Sequence, residues 1–522
     1  MPRRLKSKQS SSPPTRASLP SWVPWLGLLV SAFVFVWHAS RFWGYTIDDA
    51  YISYRYALNW VHGHGPVYNV GERVEGYTNF LWVVLLAAFM RLGAEPVLTS
   101  KILGLLSGLG SITLLFALGQ RIRPRSLFSA IAPLLIALHW VFAVTAVNGL
   151  ETSLLAFFMV GALWSFVREE QQGSDPTGST LFALGAALTR PDGLLVFLAL
   201  VPLRAVSLMY KYARRERRLR ALACWIGFLV MFGVYQGWRI WFYRSLFPNT
   251  LVAKGGGSLQ HLTSGWSDLV NFLALTGYWG LLPAVLPIAV RQARQWYLPA
   301  LLLIITRFAF QVWSGGPWMG EHRFMAPILP VIYLCVVEGW ALIWTTRPGI
   351  TTTRRAMRAV AVLGCLGWIV YQAQIVSWRG AMPILEVRVR GLNSAHIRLG
   401  RWLAHHARPG AVLSCQDAGA LPYYSGLTTV DQLGLNDRHI AHIPRPFYYK
   451  VDADYLLRLR PDYLVLLSRT PRSQGFTGRT EVDRILYNNP RFQRLYSQWD
   501  SIYRYDDDYY LWVFRPLREQ RL

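Results

Sequence analysis

The sequence predicts a mostly α-helical, polytopic membrane bundle of about eleven spans, followed by a C-terminal extracytoplasmic α/β domain. Three observations predict it. Of 522 residues, 53% are apolar and only 16% charged, and the mean hydropathy is positive, a balance that suits a bilayer better than water. Apolar runs of the roughly 20 residues needed to cross a bilayer recur along the chain as far as Gln372. Beyond it the composition turns charged and mixed, with strand-like runs at 411–414 and 463–467, and the roughly 145 residues that remain suffice for one domain.

In chain order, residues 1–20 (MPRRLKSKQSSSPPTRASLP) are basic and rich in Pro and Ser, which reads as a disordered cytoplasmic tail. The run from Trp22 to Phe42 is too long for the core of a cleaved signal peptide and is taken as the first span. Further runs centre near Leu105, Leu135, Leu155, Leu184, Leu200, Met231, Leu282, Leu302, Val331 and Ala361. The stretch Leu181 to Val206 is broken by Thr189-Arg190-Pro191-Asp192-Gly193, whose charges and freed backbone groups cannot face lipid, so it reads as two short helices around a polar hairpin. Residues 21–376 thus form a transmembrane domain with a first outer loop at 43–97, and residues 377–522 the outer domain.

Cations near helix ends favour the cytoplasm. If Asn79 to Gly93 does not cross, then Arg121, Arg123, Arg125, Arg168, the cluster from Arg204 to Arg220, Arg291, Arg294, Arg347, Arg354, Arg355 and Arg358 all fall on the inner side. A crossing there would turn most of them outward. The N-terminus is therefore placed inside and the C-terminal domain outside. This distribution also accounts for 54 Lys and Arg against 28 Asp and Glu without invoking nucleic acid, for which no recognition motif is present. Cys224, Cys335 and Cys365 lie in apolar runs and Cys415 stands alone, so no disulfide framework can be drawn.

The outward segments hold the candidate chemistry. Asp48 and Asp49 follow the first span, and two adjacent carboxylates at a membrane surface need compensation. On a helix Asp48, Ile52 and Arg55 share one face, so Arg55 is expected to neutralise one acid and leave the other as a base, against the alternative that the acids only cap a helix. His62-Gly63-His64-Gly65 through Asn69, Glu72, Arg73, Glu75, Tyr77 and Asn79 reads as a tight Gly-rich loop, its histidines weak candidates for a metal. Glu151 either caps a helix or holds a sugar hydroxyl, and Arg190 and Asp192 either pair with each other or line a site. Asn249 and Lys254, then His322 and Arg323, place cations on the outer surface against the general bias. Such exceptions suit an anion, Arg as a fork of donors and Lys as a point charge, with headgroup anchoring as the plain alternative. Together these residues describe an outward site fit for a phosphosugar head whose polyprenyl tail stays in the bilayer.

The stretch Asp48-Asp49-Ala50-Tyr51-Ile52-Ser53-Tyr54-Arg55-Tyr56-Ala57 and the run from Gly63 to Trp82 resemble the polytopic C-type (GT-C) glycosyltransferases that use polyprenyl-phosphate sugars, and among them the mycobacterial terminal β-(1→2) arabinofuranosyltransferase family. Asn148-Gly149-Leu150-Glu151-Thr152, Thr189 to Gly193, Pro248-Asn249-Thr250 with Ala253-Lys254, and Gly320 to Phe324 are similar to later landmarks. So are Asp417 to Gly426 and Asp431 to Asp437 in the tail. The resemblance implies inverting transfer of a pentose such as arabinofuranose, or another sugar, from a polyprenyl phosphate to a cell-envelope glycan or glycolipid on the outer face of a bacterial cytoplasmic membrane. It implies Asp49 as base with Asp48 as its partner or the base itself, and Lys254, His322 and Arg323 on the donor phosphate. Arg55, Glu75, Tyr77, Asn79, Glu151, Arg190, Asp192, Asn249, Asp417, Asp431 and Asn436 would hold sugar or acceptor, and a divalent cation stays open as cofactor. The rival readings are a lipid-linked sugar transporter or flippase, a non-catalytic carbohydrate-binding protein, and a transferase acting on protein hydroxyls.

Overall fold

The computed structural model describes residues 20, 22–210, 215–317, 322–345, 351–371 and 382–517. The N-terminal tail apart from Pro20, the Gly320-Glu321 pair and the expected domain boundary at 376/377 lie outside the described residues. The chain begins as helices: α1 (Val23–Arg41), α2 (Asp48–Val61), α3 (Phe80–Arg91), α4 (Pro96–Ile122), α5 (Phe128–Leu138), α6 (Trp140–Val147), α7 (Thr152–Gln172), α8 (Thr177–Thr189), α9 (Leu194–Tyr210), α10 (Arg215–Tyr243), α11 (Asn249–Lys254), α12 (Leu259–Thr276), α13 (Tyr278–Leu281), α14 (Arg294–Ser314), α15 (Leu329–Thr345) and α16 (Thr351–Tyr371).

Among the described residues, seven helices are long and apolar enough to cross a bilayer, those containing α1, α4, α7, α9, α10, α14 and α15. Two bent pairs, α5 with α6 at 64° and α12 with Tyr278–Ala289 at 83°, raise the number to nine. This makes the chain a multi-pass membrane protein, with seven to nine such spans among the described residues beside the roughly eleven expected. The runs at Leu184 and Ala361 are helical, but α8 has only 13 residues and α16 opens on Arg354, Arg355 and Arg358. Helix α3 has 12 residues, about 18 Å at 1.5 Å per residue, well short of a bilayer's hydrocarbon core of about 30 Å.

Local chemistry explains the packing. Glu95 caps α4 by accepting from the Val97 and Leu98 amides at 3.0 and 2.6 Å, with Pro96 at the first helical position. Ser107 and Ser111 return their hydroxyls to carbonyls one turn back within α4, which satisfies polar groups that lipid would leave bare. A Cβ on Gly104 would collide with the Ala146 carbonyl, so a bare glycine is what lets α4 and α6 approach.

The C-terminal domain carries α17 (Met382–Gly391), α18 (Arg398–His406) and α19 (Ala420–Ser425). Its five strands are β1 (Val412–Cys415), β2 (Thr428–Asp431), β3 (Tyr463–Ser468), β4 (Tyr496–Asp506) and β5 (Tyr509–Pro516), in the order β2-β1-β3-β5-β4. Strand β1 runs parallel to β2 and β3, while β5 is antiparallel to β3 and β4. Alternate residues feed two cores, Leu464, Leu466, Trp512 and Phe514 on one face and Val465, Leu467, Leu511 and Val513 on the other. The strand-like runs read from the sequence are β1 and β3.

This domain is bonded to the loop that follows α2 and to α11. Tyr68 donates its hydroxyl to Ala418 O at 2.6 Å, Asn69 Nδ2 donates to Thr429 O at 2.9 Å, and Asn249 Nδ2 donates to Gly434 O and Leu435 O at 2.8 and 3.0 Å. Gly419 sits so close to α2 that a Cβ there would fall inside contact distance of the Asp48 carbonyl and carboxylate oxygens. We expect Gly419→Ala to cost about 1–3 kcal/mol, as overpacking does, read as a lower thermal midpoint and faster proteolysis between the two domains. An unchanged midpoint would contradict the close approach.

Candidate active site

Helix α2 starts where Ile47 leaves an extended conformation and its amide binds Asn148 O at 3.0 Å. Both acids lie in the first turn, where the helix dipole favours negative charge, and neighbouring positions on a helix point about 100° apart. Asp48 turns to the C-terminal domain and accepts from the Gly419 amide at 3.1 Å and the Ala420 amide at 2.8 Å. Asp49 turns the other way and accepts from Arg323 Nη2 at 3.1 Å, its side chain 15% exposed.

Arg55 pairs with neither acid. It donates to Tyr68 O, Pro422 O and Leu427 O at 2.7 Å each and to Asn69 Oδ1 at 3.0 Å. The expected Arg55 neutralisation is therefore corrected: carbonyls from the loop and from the C-terminal domain outnumber what the helix face offers, and Arg323 compensates Asp49. Helix capping alone is excluded for Asp48 by its bonds to Gly419 and Ala420.

Beside Asp49 stands Lys254 at the end of α11, its Nζ 5.9 Å from the centre of the Phe447 ring. Burial lowers this ammonium from the ordinary lysine range, against the attraction of Asp49. Lys254 is half-buried and has no hydrogen-bond or ion-pair partner among the described residues, and the Nε–H of Arg323, like Nη2 of Arg307, is buried without an acceptor. Two cationic donors thus converge near one carboxylate with bonding capacity unspent, which favours an anion.

Behind them lies a charge-balanced network. Asn79 Nδ2 donates to Glu151 at 2.8 Å and to Ser53 at 3.0 Å. Arg190 bridges Glu151 at 2.7 Å and Asp192 at 2.9 Å. Asp192 also binds Arg307, whose Nε donates to Phe324 O at 2.5 Å. The Phe324 ring lies 4.9 Å from the Arg190 guanidinium and 5.6 Å from that of Arg323, joining the network to the Asp49 pair. Glu151, Asp192, Arg190 and Arg307 cancel one another, as do Asp49 and Arg323, leaving Lys254 in excess.

The other candidates are bonded elsewhere in the fold. Glu75 pairs with Arg239 of α10 at 3.0 Å. Tyr77 accepts from the Tyr243 hydroxyl at 3.1 Å within an aromatic cluster. Asp431 accepts the amides of Leu433 and Asn436 and so closes its own turn, and Asn436 receives the Tyr56 hydroxyl at 3.2 Å. Asn249 holds the C-terminal domain as described. Asp417 binds His396 Nε2 at 2.7 Å and the Tyr509 hydroxyl. His322 stands 3.1 Å from Asp268 rather than on Asp49.

His62 and His64 are exposed, and among the described residues no group of three His, Cys, Asp or Glu side chains is arranged to hold a metal. Asp48 and Asp49 face different partners, the Gly419 and Ala420 amides for one and Arg323 for the other. All four cysteines are free thiols.

A family model described as a domain of unknown function (DUF8728) matches residues 386–514. The terminal β-(1→2)-arabinofuranosyltransferase of Mycobacterium tuberculosis is 32% identical over 248 residues, which is 44% of this chain and 38% of that protein. ArnT from Cupriavidus metallidurans, solved bound to undecaprenyl phosphate, aligns with a TM-score of 0.57 at 13% identity over 94% of this chain and 98% of its own. The oligosaccharyltransferase of Archaeoglobus fulgidus, tethered with an acceptor peptide, aligns at 0.54 and 11% identity over 86% of this chain and 70% of its own. The fold is the one these two solved structures share.

Within this fold, several candidate-site residues escaped the sequence. Arg307 and Arg239 lie in apolar helices, and a charge inside a span was itself a signal. His396 had none, because its partner Asp417 is met only after folding. Against burial, which lowers it, Asp417 raises His396 from the ordinary histidine range. Burial pushes Asp48 up to about 7, with His396 acting to lower it and Asp417 to raise it. Both groups bind protons more tightly folded than unfolded. The His396 contribution is whole below about 6.5 and is lost as pH climbs through its raised value, and that of Asp48 declines from about 4 towards 7. Asp417, which His396 and Tyr509 hold below the usual carboxylate range against burial, weakens the joint only in stronger acid. Thermal stability of the joint is expected to fall between pH 6 and 8, and His396→Gln to flatten that fall. An equal slope in the variant would remove His396 from the coupling.

Proposed function

We propose that this protein is a membrane glycosyltransferase that moves a sugar, a pentose such as arabinofuranose in our reading, from a polyprenyl phosphate to a cell-envelope glycan or glycolipid. The observation that carries the proposal is the Asp49 carboxylate standing beside Lys254 and Arg323, two cations with unspent donors, at the joint between apolar helices and a C-terminal domain. Such a site suits a donor whose phosphate is anionic and whose tail belongs in lipid. The C-type fold and the partial likeness to an arabinofuranosyltransferase support the class. The distribution of basic clusters supports an outer-face site in a bacterial cytoplasmic membrane with the N-terminus inside.

In this reading an acceptor hydroxyl gives its proton to Asp49 while its oxygen attacks the anomeric carbon. The bond from that carbon to the phosphate oxygen breaks, and the polyprenyl phosphate leaves with the electron pair. Lys254 and the free Nε–H of Arg323 receive the charge as it develops, where donors held in place without reorganisation stabilise a transition state most. Attack opposite the leaving group inverts the anomeric centre. The Glu151, Arg190, Asp192, Arg307 network fixes Phe324 and hence Arg323, and Asp48 fixes the turn of α2 that aims Asp49.

Membranes carrying the protein, incubated with polyprenyl-phosphoryl pentoses and hexoses, should transfer one of them to an envelope glycan. Asp49→Asn should cut the rate by about 10²–10⁴-fold, the usual worth of a positioned base, with the fold and polyprenyl-phosphate binding kept. Transfer undiminished in that variant, or no donor consumed by the native chain, would overturn the proposal.

A further inference from the structure

The C-terminal domain holds one aromatic turn over the same site. Phe447–Tyr449 forms a single 3-10 turn after Pro446, closed by the Tyr449 amide on Pro446 O at 2.8 Å. Lys450 clamps it, its Nζ donating to Ala441 O at 2.5 Å and to Val252 O at 3.0 Å. Val252 belongs to α11, two residues before Lys254, so the turn is bonded to the segment that carries the unpaired cation. Phe447 points inward, faces Lys254, and packs against both the membrane core and the core of the C-terminal domain.

The next two rings do not follow it. Tyr448 is 40% exposed and Tyr449 51% exposed. Burial pushes the Tyr448 hydroxyl up to about 12, and the negative charge of Asp49 acts in the same direction. A turn bonded to α11 beside Lys254 that leaves two large rings half-exposed suits an occupant with flat apolar faces and polar edges. A sugar ring has both, its C–H faces resting on an aromatic ring while its hydroxyls stay hydrated. The donor's lipid tail needs the bilayer, whereas this turn stands on the water-facing domain.

Resting on the glycosyltransferase reading above, we propose that Tyr448 and Tyr449 form the acceptor platform, stacking on a sugar of the acceptor glycan and turning its hydroxyl towards Asp49. They act as specificity-determining residues, since a different spacing of rings would admit a different glycan. Simple anchoring of the two tyrosines among lipid headgroups is the competing explanation.

The test uses the full chain in lipid nanodiscs, with polyprenyl-phosphoryl arabinofuranose as donor and an arabinofuranosyl oligosaccharide as acceptor. Tyr448→Ala with Tyr449→Ala should raise the acceptor KM and the Kd for the oligosaccharide about tenfold, leaving the donor KM and Tm in place. The Tyr448→Phe, Tyr449→Phe pair should behave as the native chain, because stacking needs the ring alone. An acceptor KM unmoved by the alanine pair, or a change confined to the donor KM or to lipid dependence, overturns the platform. If the native chain transfers nothing, the catalytic reading fails. The platform is then judged by binding: oligosaccharide binding lost in the alanine pair supports it, and no binding by the native chain overturns it.

Discussion

Two adjacent carboxylates at one helix N-terminus would repel each other and lipid headgroups if they faced the same way, and the structure depends on their separation. The first turn of α2 sends Asp48 to the Gly419 and Ala420 amides and Asp49 to Arg323. A buried carboxylate is tolerable only when its oxygens are bonded, so each acid fastens a different body to the helix. Asp48 brings the C-terminal domain down on the loop, and Asp49 faces the cations. Removing the C-terminal amides would uncover a buried charge as well as release a domain.

The neighbouring charges obey the same constraint. In a low-dielectric interior every ion needs a partner, and breaking a pair is far costlier than never having built it. Glu151, Arg190, Asp192 and Arg307 balance their charges among themselves, and among the described residues Lys254 has no ion-pair partner while one N–H of Arg323 and one nitrogen of Arg307 are buried without an acceptor. Unsatisfied donors beside a charge-balanced cluster are where a ligand contributes most. The aromatic turn at Phe447 closes the same space from the other side and ties it to the C-terminal sheet.

Much of this was legible in the sequence. Apolar runs of bilayer length are the helices, and the runs at 411–414 and 463–467 are strands, because burial periodicity survives without tertiary detail. Asp49, Lys254 and Arg323 were separable from the background as an acid pair and outward cations, and the structure brings them together from three distant parts of the chain. Arg55 was misread because i to i+4 reasoning sees only its own helix, whereas its partners are carbonyls of residues 68, 422 and 427. The runs at Leu184 and Ala361 are helices, one of 13 residues and one that opens on basic residues, features that hydropathy alone does not register. Arg307, His396 and the Tyr448 turn acquire meaning only from what folds against them.

The central claim is that Lys254 and Arg323 wait for a phosphate at Asp49. Titrating undecaprenyl phosphate into the purified full chain, native and Lys254→Met, tests it without any need for the right sugar. Expected is a loss of affinity of about 10- to 100-fold in the variant, the scale of a charge-assisted bond of about 1.5–3 kcal/mol, with native thermal stability. Equal affinity in the two proteins would contradict it.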